Sequence, residues 1–165
     1  MPHPIFGEAS LLVKRGAGAA TLVPAAEALA SAKHVLLYFS AHWCPPCRGF
    51  TPALCKWYEA HRAEGIEVVF ISGDRSDEQF SEYYGEMPFC ALPFEDRALQ
   101  EALSEKYGVE GIPALMVLDP AVRALGPAHL PAAENAPPPA TPPPPSPPPT
   151  HPLHPRHPTP PRRAP

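Results

Sequence analysis

Two cysteines separated by two prolines are the residues of this chain whose types and spacing point most directly to chemistry. Cys44 and Cys47 lie in the segment Tyr38–Phe50, which reads YFSAHWCPPCRGF. A thiolate is both a nucleophile and a metal ligand, and two thiols this close can form a disulfide and be reduced again. The pair is therefore a candidate for dithiol–disulfide exchange.

The prolines determine where a helix can begin. A continuous apolar run of strand length, His34–Ser40, precedes the pair, and Pro46 to about Ala63 has apolar residues at helical spacing. Residues before proline avoid helical angles, whereas proline is favoured in a first turn, so the helix is predicted to begin at about Pro46. The Cys44 sulfur then lies just outside a helix N-terminus, where the dipole favours the thiolate. We predict Cys44 as the attacking nucleophile and Cys47 as the resolving cysteine.

A zinc site and an inert structural pair are the alternatives to redox chemistry. A single C-x-x-C can be half of a zinc site, but Cys55 and Cys90 lack the matching spacing. His42 is a candidate third ligand, although a strand-to-helix geometry would point it away. We favour the redox interpretation, with no metal and no cofactor other than the redox-active Cys44–Cys47 disulfide.

Charge and composition argue against several classes of partner. The net charge of −4 argues against nucleic acid, because phosphate binding relies on clustered Lys and Arg. No apolar run approaches the roughly 20 residues of a membrane helix. The N-terminus does not resemble a secretory signal, so we expect a reducing compartment: the cytoplasm, with the nucleus as a second location.

Strand and helix patterns alternate along the first part of the chain, which predicts crossover connections and parallel pairing in a central sheet. The fold class is therefore α/β. The predicted strands are Leu11–Lys14, His34–Ser40, Glu67–Ser72 and Ala114–Leu118. The predicted helices are Pro24–Ala30, Pro46 to about Ala63, Asp77 to about Glu86, and Arg97–Tyr107.

The C-terminal part has a different composition. Seventeen of the 35 residues from Pro131 to Pro165 are proline. Such a segment lacks the backbone donors for helix or sheet and favours solvated polyproline II. We predict a domain at 1–120 and a low-complexity, disordered, Pro-rich tail at 121–165. Its PxxP arrangements could bind SH3 or WW modules.

Four segments together resemble a known family. They are YFSAHWCPPCRGFTP, EVVFISGDRSDEQFSEYYGEMP, LPFED and YGVEGIPALMVLD. In this order and spacing they resemble the tryparedoxin and nucleoredoxin branch of the thioredoxin-like superfamily, over about residues 5–120. The resemblance implies a thioredoxin-like three-layer α/β/α sandwich and protein-disulfide reductase activity.

The resemblance also implies roles for residues around the pair. Trp43 is expected to pack beside the substrate surface. Pro113 matches the family's cis-proline, which would expose the Ile112 backbone beside Cys44 for pairing with a substrate strand. Pro45 and Pro46 complete the turn between the two thiols.

Tyr38 stands where ordinary thioredoxins carry a buried aspartate used for proton transfer. A tyrosine at this position resembles the tryparedoxin branch. Proton handling must then differ, and water, Asp74 and Glu78 are the candidates. Asp74 could equally cap a turn.

The chain departs from the family pattern after Asp119. The family continues with a strand and a final helix, and both are expected to be missing here. Ala114–Leu118 would then be an unprotected edge strand. A smaller departure is Phe89–Cys90 after Pro88, where the family has a tryptophan; Cys90 is expected to be a small buried side chain.

The predicted function is that of a thiol–disulfide oxidoreductase acting as a protein-disulfide reductase. Its partners would be disulfide-containing protein substrates and a thiol or flavoenzyme electron donor, with neither nucleic acid nor membrane. The alternative is a redox-impaired, truncated thioredoxin-like protein that acts as an interaction module through its Pro-rich tail and an SH3- or WW-type binder.

Overall fold

The structure, a computed structural model, describes residues 1–14 and 19–118 and the backbone of the strand at 124–127. In chain order the elements are β1 (Ser10–Val13), β2 (Thr21–Pro24), α1 (Ala25–Ala28), β3 (His34–Ser40), α2 (Pro45–His61), β4 (Ile66–Ser72), α3 (Asp77–Gly85), β5 (Cys90–Ala91), α4 (Arg97–Lys106), β6 (Ala114–Leu118) and β7 (Ala124–Pro127). The order of strands in the single sheet is β2-β1-β5-β4-β3-β6-β7.

The two long strands β3 and β4 lie at the centre of the sheet. Both are runs of seven residues dominated by apolar and aromatic side chains, which favour a strand covered on both faces. They pair in parallel from His34 opposite Ile66 to Ser40 opposite Ser72. Because parallel strands end at the same edge of a sheet, the segments that follow β3 and β4 come together there.

Helix α2 makes the crossover between β3 and β4, as parallel pairing requires. Its buried residues Cys47, Thr51, Leu54 and Tyr58 recur at helical spacing and face the sheet. A 3₁₀ turn follows α2 and ends at Gly65, whose φ is +88°. A Cβ at this position would lie 2.9 Å from the Lys33 side chain, so both conformation and space require glycine.

The sheet separates two apolar cores. Leu36 and Tyr38 point towards the core shared with α2 and α3. Leu37 and Phe39 point towards the other core, which includes Leu103 of α4. Alternation along one strand thus fills both layers, as expected for a three-layer sandwich. No helix in the described part of the chain is long and apolar enough to cross a membrane.

Lys14 joins the β1–β2 hairpin to the end of α3. Its ammonium group donates to the carbonyl oxygens of Met87 (2.7 Å), Gly85 (3.2 Å) and Tyr84, and it lies 4.1 Å from the centre of the Tyr84 ring. The last carbonyls of a helix lack partners within the helix, and a cation there also complements the helix dipole.

The predicted α/β architecture is confirmed, with one correction. The chain was expected to lack a final strand, leaving Ala114–Leu118 at the edge of the sheet. Instead, β7 pairs antiparallel with β6, with Val117 opposite Gly126 and an irregularity between Val117 and Leu118. The edge prediction is wrong because a short, glycine-containing segment after residue 120 still supplies a pairing strand. The expected absence of the final helix, and the Pro-rich tail, fall on positions 119–123 and 128–165, outside the described residues.

Candidate active site

Cys44 is the residue that precedes the first turn of α2. Its backbone is extended, with φ −96° and ψ 107°, and its carbonyl oxygen accepts the Arg48 N–H at 3.1 Å. Pro45 and Pro46 occupy the first two helical positions, one residue earlier than predicted. The fixed φ of proline suits these positions, and the N–H groups that prolines lack would have no helical partner there.

The two cysteines form a disulfide. Their Cα atoms are 5.3 Å apart. Cys44 is 4% exposed, whereas Cys47 is fully buried beneath it. An attacking partner can therefore reach only the Cys44 sulfur without displacing the protein around it.

The loop before β6 supplies the opposite side of the site. The Ile112–Pro113 peptide bond is cis, as the resemblance implied. The Ile112 carbonyl oxygen lies 3.8 Å from the Cys44 sulfur. The fold thus brings together two segments that are nearly 70 positions apart in the sequence, one at the start of α2 and one just before β6.

Trp43 directly precedes Cys44 and is held by the loop that follows β4. The side chain is 43% exposed, and its indole N–H donates to the Gly73 carbonyl at 2.9 Å. The Arg75 guanidinium lies 4.9 Å from the ring centre. Gly73 and Arg75 follow β4, so the parallel register of β3 and β4 positions this ring.

Asp74 takes the turn-capping role rather than facing the pair. Its side chain is 1% exposed. One carboxylate oxygen accepts the His42 N–H at 2.6 Å and the other accepts the Ser72 hydroxyl at 2.8 Å. These bonds join the loops after β3 and β4. Glu78 is exposed in the first turn of α3, and no described contact joins it to either cysteine.

A buried chain of hydroxyl groups lies under Cys47. Thr51 Oγ1 donates to the Cys47 carbonyl at 2.9 Å and is hydrogen-bonded to the hydroxyls of Tyr38 (2.8 Å) and Tyr83. The Tyr83 hydroxyl is 3.0 Å from Ser40 Oγ. Since the Thr51 proton is directed to the carbonyl, both tyrosines donate to Thr51, and Ser40 donates to Tyr83.

This chain of hydroxyls determines what Tyr38 can do. Burial raises the pKa of Tyr38 far above its usual value, because a phenolate there would lose its hydration. At neutral pH Tyr38 is therefore a hydrogen-bond donor and cannot accept a proton as an aspartate would. Its position supports the backbone at Cys47 rather than the sulfur chemistry directly.

The other two cysteines are protonated at neutral pH. Burial, with the nearby charges of Glu59 and Glu86, raises the pKa of Cys55 to about 11. Burial and Glu67 raise the pKa of Cys90 to about 12. Cys90 is 4% exposed, which agrees with its interpretation as a small buried side chain. Neither thiol has the environment of a nucleophile.

Four residues around the site were not predicted from the sequence: Thr51, Tyr83, Ser40 and Arg75. The role of Thr51 could have been predicted, because it follows Cys47 by four residues in a predicted helix. At that spacing a threonine hydroxyl can donate to the carbonyl of the preceding turn. Tyr83 and Arg75 reach the site from α3 and the loop before it, and no short-range pattern marks such contacts.

Comparison with known proteins identifies similar chains. A family model described as Thioredoxin-like matches residues 32–123. Tryparedoxin of Trypanosoma brucei brucei is 52% identical over 88 residues, which make up 53% of this chain and 61% of that protein. Nucleoredoxin of Mus musculus is 49% identical over 89 residues, which make up 53% of this chain and 20% of that protein. The matched region thus spans less than two thirds of either relative.

Solved structures agree with these relatives. The tryparedoxin from Trypanosoma brucei superimposes with a TM-score of 0.65 at 42% identity, covering 76% of this chain and 82% of that one. A thioredoxin from Wuchereria bancrofti gives a TM-score of 0.64 at 39% identity, covering 73% and 81%. The predicted resemblance is confirmed in both sequence and fold.

Proposed function

Because this chain belongs to the thioredoxin-like family, we propose that it is a thiol–disulfide oxidoreductase that reduces disulfides in other proteins. The observation that carries the proposal is the Cys44–Cys47 disulfide at the N-terminus of α2. One sulfur lies next to the surface and the other is buried below it. A two-step exchange requires this arrangement.

In the first step the reduced chain presents the Cys44 thiolate to a substrate disulfide. The thiolate attacks one substrate sulfur, the substrate S–S bond breaks, and a mixed disulfide with Cys44 forms. The released substrate thiolate takes a proton from water. The dipole of α2 stabilises the Cys44 thiolate before attack, and since Pro45 and Pro46 lack N–H groups, the Cys47 amide is the first backbone donor of the helix.

In the second step Cys47 resolves the mixed disulfide. Its thiol loses a proton to the departing substrate thiolate, and its sulfur attacks the Cys44 sulfur. The mixed disulfide breaks, the Cys44–Cys47 bond forms, and the second substrate thiol leaves. Two electrons have then passed from the pair to the substrate, and the chain is left in the oxidised form that the structure shows.

Substrate binding falls to the surface around Cys44. The Ile112 carbonyl, adjacent to the Cys44 sulfur and held by the cis bond to Pro113, is placed to pair with an extended substrate segment. Trp43, which directly precedes Cys44, offers an exposed aromatic surface. We assign these residues to docking rather than to bond making.

Regeneration of the dithiol requires two electrons from a second thiol or from a flavoenzyme. One solved relative is a tryparedoxin II complexed with glutathionylspermidine. A low-molecular-weight thiol is therefore the first donor class to test for this chain. The pair itself carries the electrons, so the proposed cycle uses no other cofactor, and we retain the cytoplasm, with the nucleus second, as the proposed compartment.

The test is reduction of insulin disulfides with dithiothreitol as the electron source. The wild-type chain should accelerate reduction, and Cys44→Ser should abolish the acceleration. Cys47→Ser, reduced beforehand and freed of dithiothreitol, should accumulate a mixed disulfide with insulin, because no second thiol is present to resolve it. Cys55→Ser is the matched control and should retain activity, because that thiol is neutral at pH 7. Full activity in Cys44→Ser would overturn the proposal.

A further inference from the structure

Arg75 places a positive charge on the ring of Trp43, the residue that directly precedes the nucleophilic cysteine. Its guanidinium carbon lies 4.9 Å from the centre of the Trp43 ring, within the range of a cation–π contact. Trp43 directly precedes Cys44, and the bond from its indole N–H to the Gly73 carbonyl (2.9 Å) fixes the ring. The charge is thus held on a surface whose position relative to Cys44 is set.

No carboxylate in the described part of the chain, residues 1–14 and 19–118, forms an ion pair with Arg75, although Asp77 and Glu78 follow it closely in sequence. The Arg75 guanidinium lies over the Trp43 ring, and the Arg75 backbone N–H donates to the Gln79 side-chain oxygen at 3.3 Å. Asp74, its neighbour in sequence, is buried and already accepts hydrogen bonds at both oxygens. Glu110 lines a cavity with Ile112 whose wall includes neither Trp43 nor Arg75.

Access to Cys44 passes across this surface. Cys44 is 4% exposed, whereas Trp43 is 43% exposed and Arg75 belongs to the exposed class. Because Trp43 is adjacent to Cys44 in the chain and exposed, we expect a folded partner that brings a sulfur to Cys44 to contact the Trp43 ring. Exposed tryptophan and arginine are the side chains most enriched at energetically dominant contacts between proteins.

We propose that Arg75, held on Trp43, makes the site select disulfides that carry an acidic side chain close to the attacked sulfur. This inference rests on the proposed function, since it names the substrate class of the same site. Arg48, exposed in the first turn of α2, adds a second positive charge next to the pair in sequence. The net charge of the chain is −4, so the preference arises from a local arrangement and not from the overall charge.

The size of the effect follows from the solvent exposure of the two charged groups, Arg75 and the acidic side chain of the substrate. An ion pair between exposed groups changes binding by roughly two- to fivefold, and a like-charge contact disfavours binding by a similar factor. Substrates of opposite flanking charge should therefore differ by about tenfold at low ionic strength. Salt should reduce the difference, because the Debye length falls from about 10 Å at 0.1 M to about 3 Å at 1 M.

The experiment measures kcat/KM for three peptides that share one disulfide and differ in a single flanking residue: Glu, Gln or Lys. The full chain should prefer them in that order. Arg75→Glu should lower the rate with the Glu peptide about tenfold and raise the rate with the Lys peptide. Arg75→Lys, which retains the charge, should keep the original order.

Arg62→Glu is the matched control. Arg62 is also an exposed arginine over an aromatic ring, 6.0 Å from the Tyr58 centroid, but it lies at the far end of α2, roughly 25 Å along the helix from the pair. It should leave the order and the rates unchanged. Equal rates with all three peptides, an unchanged order in Arg75→Glu, or the same change in Arg62→Glu would overturn the inference. If the wild-type chain reduces none of the peptides, the proposed function itself fails and the charge preference with it.

Discussion

At the scale of single residues, the carbonyl of Cys47 is the point on which four buried hydroxyl groups converge. Ser40, Tyr83 and Tyr38 all connect to Thr51, and Thr51 donates to that carbonyl. Buried hydroxyls are costly without a hydrogen-bond partner, and here each of the four has one. The first turn of α2 is therefore held from below as well as by its prolines.

Replacing Thr51 by valine tests this arrangement. The variant leaves Tyr38 and Tyr83 without their shared acceptor, so we expect a loss of about 1–3 kcal/mol in the free energy of unfolding, measured by urea denaturation of the oxidised chain. Thr51→Ser should restore most of the loss. Ser104→Ala is the control, because it removes a comparable hydrogen bond in α4, from the Ser104 hydroxyl to the Gln100 carbonyl (3.0 Å). It should lower the free energy of unfolding by less, since no other hydroxyl depends on Ser104. Equal losses in Thr51→Val and Ser104→Ala would contradict the role of the network.

The pH dependence of Cys55 alkylation is a second residue-scale prediction. Burial raises the pKa of Cys55 to about 11, against about 8.5 for a free cysteine. The reactive thiolate therefore forms only as the pH rises towards the higher value, and at pH 8 the folded chain should react with iodoacetamide roughly a hundredfold more slowly than free cysteine. Mass spectrometry of the reduced chain gives the labelling at each position. Half-maximal labelling of Cys55 near pH 8.5 would show that the Cys55 thiol is less buried in solution than in the structure.

The sequence contained the reacting groups but not their surroundings. Cys44 and Cys47 were predictable because spacing and prolines are local properties. The contacts of Trp43 with Gly73 and Arg75, and of Thr51 with Tyr83, depend on how the strands and helices pack. Single-sequence patterns do not encode such distances.

At the scale of elements, continuous apolar runs and caps set most of the boundaries. β3, β6 and the start of α3 lie where the sequence predicts them, because each has either an apolar run or a clear capping residue. β2, β5 and β7 were missed because they have two to four residues and no periodic pattern. Their strand character comes from pairing with a neighbour.

The cap of α3 gives an element-scale prediction. Ser76 has extended backbone angles, and its hydroxyl accepts the Gln79 N–H at 3.3 Å. Ser76→Ala should lower the free energy of unfolding by about 1 kcal/mol, and Ser76→Asp should preserve it. Ser81→Ala is the matched control, because Ser81 is exposed inside the same helix and alanine has the higher helix propensity. Thermal denaturation of the variants measures the effect. The same loss of stability in Ser76→Ala and Ser81→Ala would show that Ser76 does not stabilise α3 as a cap.

At the scale of the whole molecule, the sheet continues on both sides of β3, the strand that leads into the redox pair. β4 and β6 pair with the two edges of β3. β6 in turn pairs with β7. The strand that positions the start of α2 is therefore internal to the sheet.

Ending the chain at Asp119 tests the importance of β7. The shorter chain loses the partner of β6 and exposes unpaired backbone groups, so we expect a lower melting temperature and aggregation on warming. A chain ended at Leu130, which retains β7, is the control. Light scattering during a thermal ramp measures both properties. Indistinguishable melting of the two chains would mean that β7 contributes nothing to stability.

The Lys14 bridge has a consequence for chemical modification. Among the described residues, one registered pair, Leu12 with Ala91, links β1 to β5. The Lys14 ammonium and the bond from the Tyr84 hydroxyl to Leu12 therefore add to the apolar contacts of the buried Leu11 in holding the hairpin. Acetylation would abolish the charge and leave one amide hydrogen for three carbonyl oxygens. We expect the hairpin then to be held less firmly against β5, so that a post-translational mark three strands away from β3 would lower the stability of the sheet without touching either redox sulfur.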